Sequence, residues 1–176
     1  MDILSQLLDD IHLGGVEFRY LQAGRPWGFA FNSQGLSSFH LVLTGAALLR
    51  IEGEPELRLE PGDMAIVTSG RNHQVVDAEQ PLTGPLPEIA GEVVGHGLEP
   101  LVLGGEGVIT NMLSARFSFD VDLARPLLSA LPMVLTLRGL NERPPEWMRI
   151  GLEFLAQEGY GRSGRQAIIN RVGGIL

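Results

Sequence analysis

Residues 39–75 read FHLVLTGAALLRIEGEPELRLEPGDMAIVTSGRNHQV. Short apolar runs that suit strands are cut at close intervals by "TG", "EGEP", "EPGD" and "TSGRN", where glycine, proline and acidic residues supply turn geometry. Turns this frequent leave no room for the crossover helices of a parallel α/β sheet, so the stretch belongs to an antiparallel sandwich or barrel. The same rhythm extends toward the N-terminus. "VEFRY" alternates Val16, Phe18 and Tyr20 with Glu17 and Arg19, and "GRPWG" and "NSQG" punctuate the residues between it and position 39. Further back, Ile3, Leu4, Leu7, Leu8 and Ile11 recur at helical spacing before Gly14-Gly15, which predicts a short N-terminal helix over residues 1–14.

Toward the C-terminus the pattern is broken at residues 78–107, a Gly/Pro-rich insertion in which "PLVLG" is the one strand-like piece. It resumes at "VITNMLSARFSFD". Beyond it Leu123, Leu127, Leu128 and Leu131 predict a helix with Pro126 in its first turn, and after "MVLTLRG" residues 145–158 predict a second helix. Trp147, Met148, Ile150, Leu152, Phe154 and Leu155 spread around most of that helix, so it needs cover on two sides. A partner subunit is the economical second cover. Ile168, Ile169 and Val172 mark a last helix before "GGIL", where the chain stops as if inside a larger protein. The expected organisation is thus a barrel over residues 15–120 and a helical, dimerising part over 121–176.

Composition narrows the function. There is no cysteine, which excludes disulfides, thiolate metal sites and cysteine nucleophiles. The net charge of −8 argues against this chain gripping phosphate backbones unaided. The charge is divided: residues 1–120 carry six arginines against sixteen carboxylates, and residues 121–176 seven against five. "MDILSQLLDD" lacks the basic and long apolar regions of a signal peptide, and no run is long enough for a membrane span, so the expected location is the cytoplasm. Nucleophile-elbow, Walker and dinucleotide fingerprints are absent; "GGEG" at 104–107 precedes a strand where a dinucleotide loop would open a helix.

"VLTGAALLRIEG" together with "LEPGDMAIVTSGRNHQV" resembles the two halves of the cupin signature, with its "PGD" turn and a histidine ten residues later. The wider run of "PWGFAF", "FHLVLTG", "LSARFSFD", "LARPLLSALP" and "LTLRG" is similar to the N-terminal sensory domain of AraC-type transcription regulators. The resemblance implies a mainly β protein, a cupin-like double-stranded β-helix (jelly-roll barrel) with C-terminal helices. It implies a small-molecule effector, a homodimer formed through those helices, and DNA contact only through a helix-turn-helix module that this chain does not contain.

In metal-binding cupins the matching ligand positions fall, counted from Gly45, on Asn32, Gln34 and Ser38, with His73 as the fourth. Only His73 is a good ligand, and transition-metal sites ordinarily take at least three nitrogen or carboxylate donors. No cofactor and no catalysis are therefore expected. His40 lies two residues beyond Ser38 and so shares its face of the strand, while Phe39, Leu41 and Leu43 make the other face equally apolar. The candidate ligand-binding residues are Trp27, Ser38, His40 and His73. The alternative is a metal- or histidine-dependent cupin enzyme, a dioxygenase or isomerase, whose metal would be held by His40, His73 and His96 from the insertion. Arg50 and Arg58, among Glu52, Glu54, Glu56 and Glu60, read as exposed charge pairs, and His12 as a cap or surface residue.

Overall fold

In the computed structural model, residues 13–90, 100–119, 130–140 and 142 are described. Their regular secondary structure is almost entirely β. Eleven strands are named: β1 (Leu13–Gly24), β2 (Gly28–Asn32), β3 (Ser37–Thr44), β4 (Ala47–Arg50), β5 (Leu57–Leu59), β6 (Met64–Val67), β7 (His73–Asp77), β8 (Glu88–Ala90), β9 (Leu101–Gly104), β10 (Ile109–Phe119) and β11 (Val134–Leu137). A large sheet runs β11-β6-β3-β10-β1-β9 and a small one β5-β4-β7-β2-β8. Neighbours are antiparallel except β9 on β1 and β8 on β2, which are parallel.

The two sheets face each other across a largely apolar core, because side chains two apart along a strand point the same way and the inward sets are mostly apolar. Leu21, Ala23, Val42, Ala65, Val67 and Met112 come from the large sheet and meet Phe29, Phe31, Leu49, Leu59 and Val75 from the small one. The large sheet is also apolar on its outer face. Tyr20, Leu41, Leu43, Met64, Ile66 and Leu113 form a second buried cluster with Leu140. This answers the ambiguity of β3: His40 faces the interior, and Leu41 and Leu43 are the outward set.

Turn chemistry sets the register. Gly45 has φ +84°, which a side chain rarely tolerates, and a Cβ there would fall 2.3 Å from Thr110 Oγ1. The "PGD" turn is closed by Asp63 N to Glu60 O at 2.9 Å and by Asp63 Oδ2 accepting from Glu60 N at 2.9 Å. "GGEG" forms a close crossing in which Gly105 N donates to Gly24 O at 2.7 Å and Gly107 N donates to Arg25 O at 2.9 Å. A Cβ at Gly105 would lie 2.7 Å from the Arg25 carbonyl oxygen.

Several boundaries differ from those expected. Leu13 and Gly14 already belong to β1, which pairs along its length with β10, so strand pairing overrides the glycine punctuation there. The helix expected over 1–14 is thus corrected at its last two residues, and its remainder falls on residues outside the described set. The insertion holds β8 as well as β9, each the parallel neighbour of a barrel strand. Within the part expected to be helical, "MVLTLRG" instead contains β11, whose apolar residues pair with β6 and extend the large sheet. The helices expected around residues 123–131 and over 145–158 and 164–172, with the dimerisation assigned to them, lie outside the described residues, as do His12 and His96. Among the described residues no helix is long and apolar enough to cross a membrane.

Candidate functional site

Four strands converge on one buried polar chain. β3 presents His40 and β7 presents His73, and their Nε2 atoms are 2.6 Å apart. β10, paired with β3 so that Ser114 lies opposite His40, places Ser114 Oγ 2.7 Å from His40 Nδ1. His73 Nδ1 donates to the Arg71 carbonyl at 2.8 Å. β2 contributes Phe31, which meets His40 edge-on at 4.9 Å and stacks on His73 at 5.2 Å.

The proton positions are set by the carbonyl at one end. Arg71 O can only accept, so His73 carries its proton on Nδ1 and offers the Nε2 lone pair. His40 must then hold its proton on Nε2 and donate it to His73, which leaves His40 Nδ1 to accept from the Ser114 hydroxyl. Every group is satisfied with both rings neutral. Burial, and secondarily the proximity of His73, hold the His40 pKa well below 6.5. His73 is likewise depressed by burial, with its bond to the Arg71 carbonyl acting the other way.

The remaining sequence candidates occupy different places. Ser38 is wholly buried, two residues from His40 on the same face, and its hydroxyl makes no hydrogen bond. Trp27 is also wholly buried with its indole N–H unbonded, but it sits beyond Phe29, whose ring centroid is 6.1 Å from Trp27 and 6.3 Å from His40. Trp27 therefore lies two ring contacts from the histidine pair. Of the positions matching metal ligands, Gln34 is exposed in a turn and Asn32 turns its amide to Glu88 at 3.2 Å. Ser114, Phe31 and the Arg71 carbonyl were missed by sequence reasoning. The alternation of Met112, Ser114 and Arg116 was the available signal for Ser114, and nothing in the sequence marked a main-chain carbonyl.

Among the described residues no group of three or more histidine or carboxylate side chains is arranged to hold a metal. At 2.6 Å the two Nε2 atoms share a proton. A single ion bonded to both at about 2.0–2.1 Å would need an N–metal–N angle of about 76–81°, far from tetrahedral. Ser114 and His40 have the contact of a nucleophile and its base, yet both are buried, and the opposite nitrogen of His40 meets a neutral imidazole where a carboxylate would orient it.

A cleft of about 520 Å³ reaches His73 and Phe31 from outside the small sheet and is rimmed by Glu52, Glu54, Glu56 and Glu88. Arg50 on this rim pairs with Glu56 at 2.6 Å, and Arg58 pairs with Glu60 and Glu79; all of these pairs are solvent-exposed, as the charge pattern implied.

A protein-family model described as Cupin matches residues 2–176. The chain belongs to the cupin family. Two curated relatives of this cupin are transcription regulators. The HTH-type transcriptional regulator AlkR of Acinetobacter baylyi is 29% identical over 179 residues, covering 100% of this chain and 58% of the relative. A putative AraC-like transcription regulator of Streptomyces antibioticus is 28% identical over 136 residues, covering 76% of this chain and 42% of the relative. The cupin thus spans about half the length of the curated relatives it matches, and its expected kinship with AraC-type regulators holds. Among solved structures, ToxT of Vibrio cholerae bound to (E)-4-(8-methylnaphthalen-1-yl)but-3-enoic acid superposes with a TM-score of 0.48 at 9% identity, covering 92% of this chain and 55% of ToxT. YhaK of Escherichia coli gives 0.44 at 8% identity, covering 72% of this chain and 42% of YhaK.

Proposed function

We propose that this cupin is the small-molecule-sensing and dimerisation domain of an AraC-type transcription regulator, working in the cytoplasm, and that it is not an enzyme. DNA would be contacted by a helix-turn-helix module outside this chain, consistent with the acidic charge of the barrel. The observation that carries the reading is the state of the buried polar groups. His40, His73 and Ser114 satisfy one another in a neutral chain, while Ser38 Oγ beside them and Trp27 Nε1 beyond Phe29 are buried and unbonded. Unbonded donors in an apolar interior cost free energy unless a partner arrives, and a small molecule with hydrogen-bond acceptors is such a partner. The neutral pair suits orienting a ligand better than moving protons at neutral pH.

An effector acts by binding two arrangements of the protein unequally. A thermal-shift screen of small metabolites, uncharged and charged, tests the proposal on the 176-residue chain. A true ligand at about a hundred times its Kd adds about 2.7 kcal/mol of stability, and the shift is expected to shrink in Ser38→Ala. A screen in which no compound raises the melting temperature, or in which every hit acts equally on Ser38→Ala and His73→Leu, overturns it. Stoichiometric metal in the purified protein would favour the enzyme instead.

A further inference from the structure

β11 is fastened at both ends to the turns that flank β6. Between the ends, Val134, Leu135, Thr136 and Leu137 pair with Val67, Ile66, Ala65 and Met64. At the far end, Arg138 Nη1 donates to Asp63 Oδ2 and Gly139 N donates to Asp63 Oδ1, while Leu140 N donates to Gly62 O at 2.8 Å. The "PGD" turn is thereby used twice, in closing itself and in holding the residues after β11. At the near end, Thr68 N donates to Met133 O at 3.0 Å and Thr68 Oγ1 to Pro132 O at 2.8 Å.

Arg71 joins this near end to the histidine pair. Its carbonyl accepts from His73 Nδ1 at 2.8 Å and from Ser33 Oγ at 2.7 Å. Its guanidinium donates to Glu52 O at 2.9 Å and reaches Met133 Sδ at 3.4 Å. A single residue therefore has its main chain on the buried site and its side chain on the residue that leads into β11. Among the described residues the Asp63 end has no such link to the histidines, so it serves as a fixed point.

The geometry points to Arg71 as a positioning residue that relays the state of the His40–His73 pair to β11. A displacement of the His73 ring pulls on the Arg71 carbonyl, tilts the turn between β6 and β7, and alters its grip on Pro132 and Met133, while Asp63 holds the other end of β11. This inference rests on the sensing reading above and names its outward route. Coupling of this kind is reciprocal: what His73 does to Met133, a change at Met133 does to His73.

Hydrogen–deuterium exchange of the whole 176-residue chain tests the forward direction without an effector. His73→Leu removes the donor to Arg71 O, and is expected to speed exchange across residues 132–137 by about five-fold or more, with β4 and β5 unchanged. Arg71→Ala is expected to do the same, and the double variant no more than the larger single change. The reverse direction needs only Arg71→Ala, which keeps the carbonyl and the histidines: the ring ¹⁵N resonances of His73 are expected to move. Unchanged exchange at 132–137 in His73→Leu, a rise shared equally by β4 and β5, or unmoved His73 resonances in Arg71→Ala each overturn the relay. If a compound raises the melting temperature yet these readouts stay flat, sensing stands and the route falls; if the readouts respond and no compound binds, the reverse holds.

Discussion

His40 and His73 meet nitrogen to nitrogen, Nε2 to Nε2 at 2.6 Å, with His40 wholly buried and His73 at the inner end of the cleft. One proton occupies the gap, and its ownership is dictated from outside the pair by the Arg71 carbonyl and the Ser114 hydroxyl. The two rings are therefore expected in opposite neutral tautomers, His40 protonated on Nε2 and His73 on Nδ1. Long-range ¹H–¹⁵N correlation spectra near neutral pH check this, and matching tautomers would contradict the assigned direction of the chain.

Stability should depend on pH through this pair. Both histidines have folded pKa values below 6.5, because burial disfavours their charged forms. The unfolded chain therefore binds more protons than the folded one once the pH falls below about 6.5. The stabilisation is complete above that value and is lost on acidification, with a slope of at most about 1.4 kcal/mol per pH unit for each histidine. Urea unfolding from about pH 7 to about pH 5 reads it. The double variant His40→Leu/His73→Leu is expected to flatten the dependence over that range.

Ser114→Ala leaves His40 Nδ1 buried with nothing to accept from, at a cost of about 1–3 kcal/mol. Ser38→Ala removes a hydroxyl that has no partner, so it is expected to be neutral or to stabilise the ligand-free protein by up to about 1 kcal/mol. Two serines on one interior face thus take opposite signs. Equilibrium denaturation of the two variants side by side decides the matter.

Gly105→Ala is expected to cost about 1–3 kcal/mol, since its Cβ would press on the Arg25 main chain, which cannot yield as a flexible side chain would. Gly53→Ala is the control: nothing lies within 4 Å of its Cβ, and only its φ of +81° opposes the change, at about 1–2 kcal/mol. A loss of stability no greater at Gly105 than at Gly53 would show that the crossing of "GGEG" over Arg25-Pro26 is loose.

The barrel was legible because closely spaced turn residues cut residues 39–75 into apolar runs of strand length. The inward direction of β3 was not, because Leu41 and Leu43 are as apolar as any core set; they pack instead on Tyr20, Met64 and Leu113 outside the large sheet. Strand parity placed Ser38 and His40 on one face, but pairing of His40 with His73 depends on how far β3 and β7 approach across the core, which spacing along the chain does not encode. Trp27 was grouped with the histidines as a ligand-binding candidate, yet Phe29 intervenes between it and the pair on the same side of the core. β8 was hidden by its three-residue length among prolines.

The outward cluster on the large sheet sets where this protein can be trimmed. Leu140 closes that cluster and β11 covers the free edge of β6, so a fragment ending at the last long strand would present a bare greasy plane and an open ladder of peptide groups to its neighbours. Among the described residues, a fragment that keeps both covers extends through Leu140, twenty residues past the apparent end of the β pattern at Asp120.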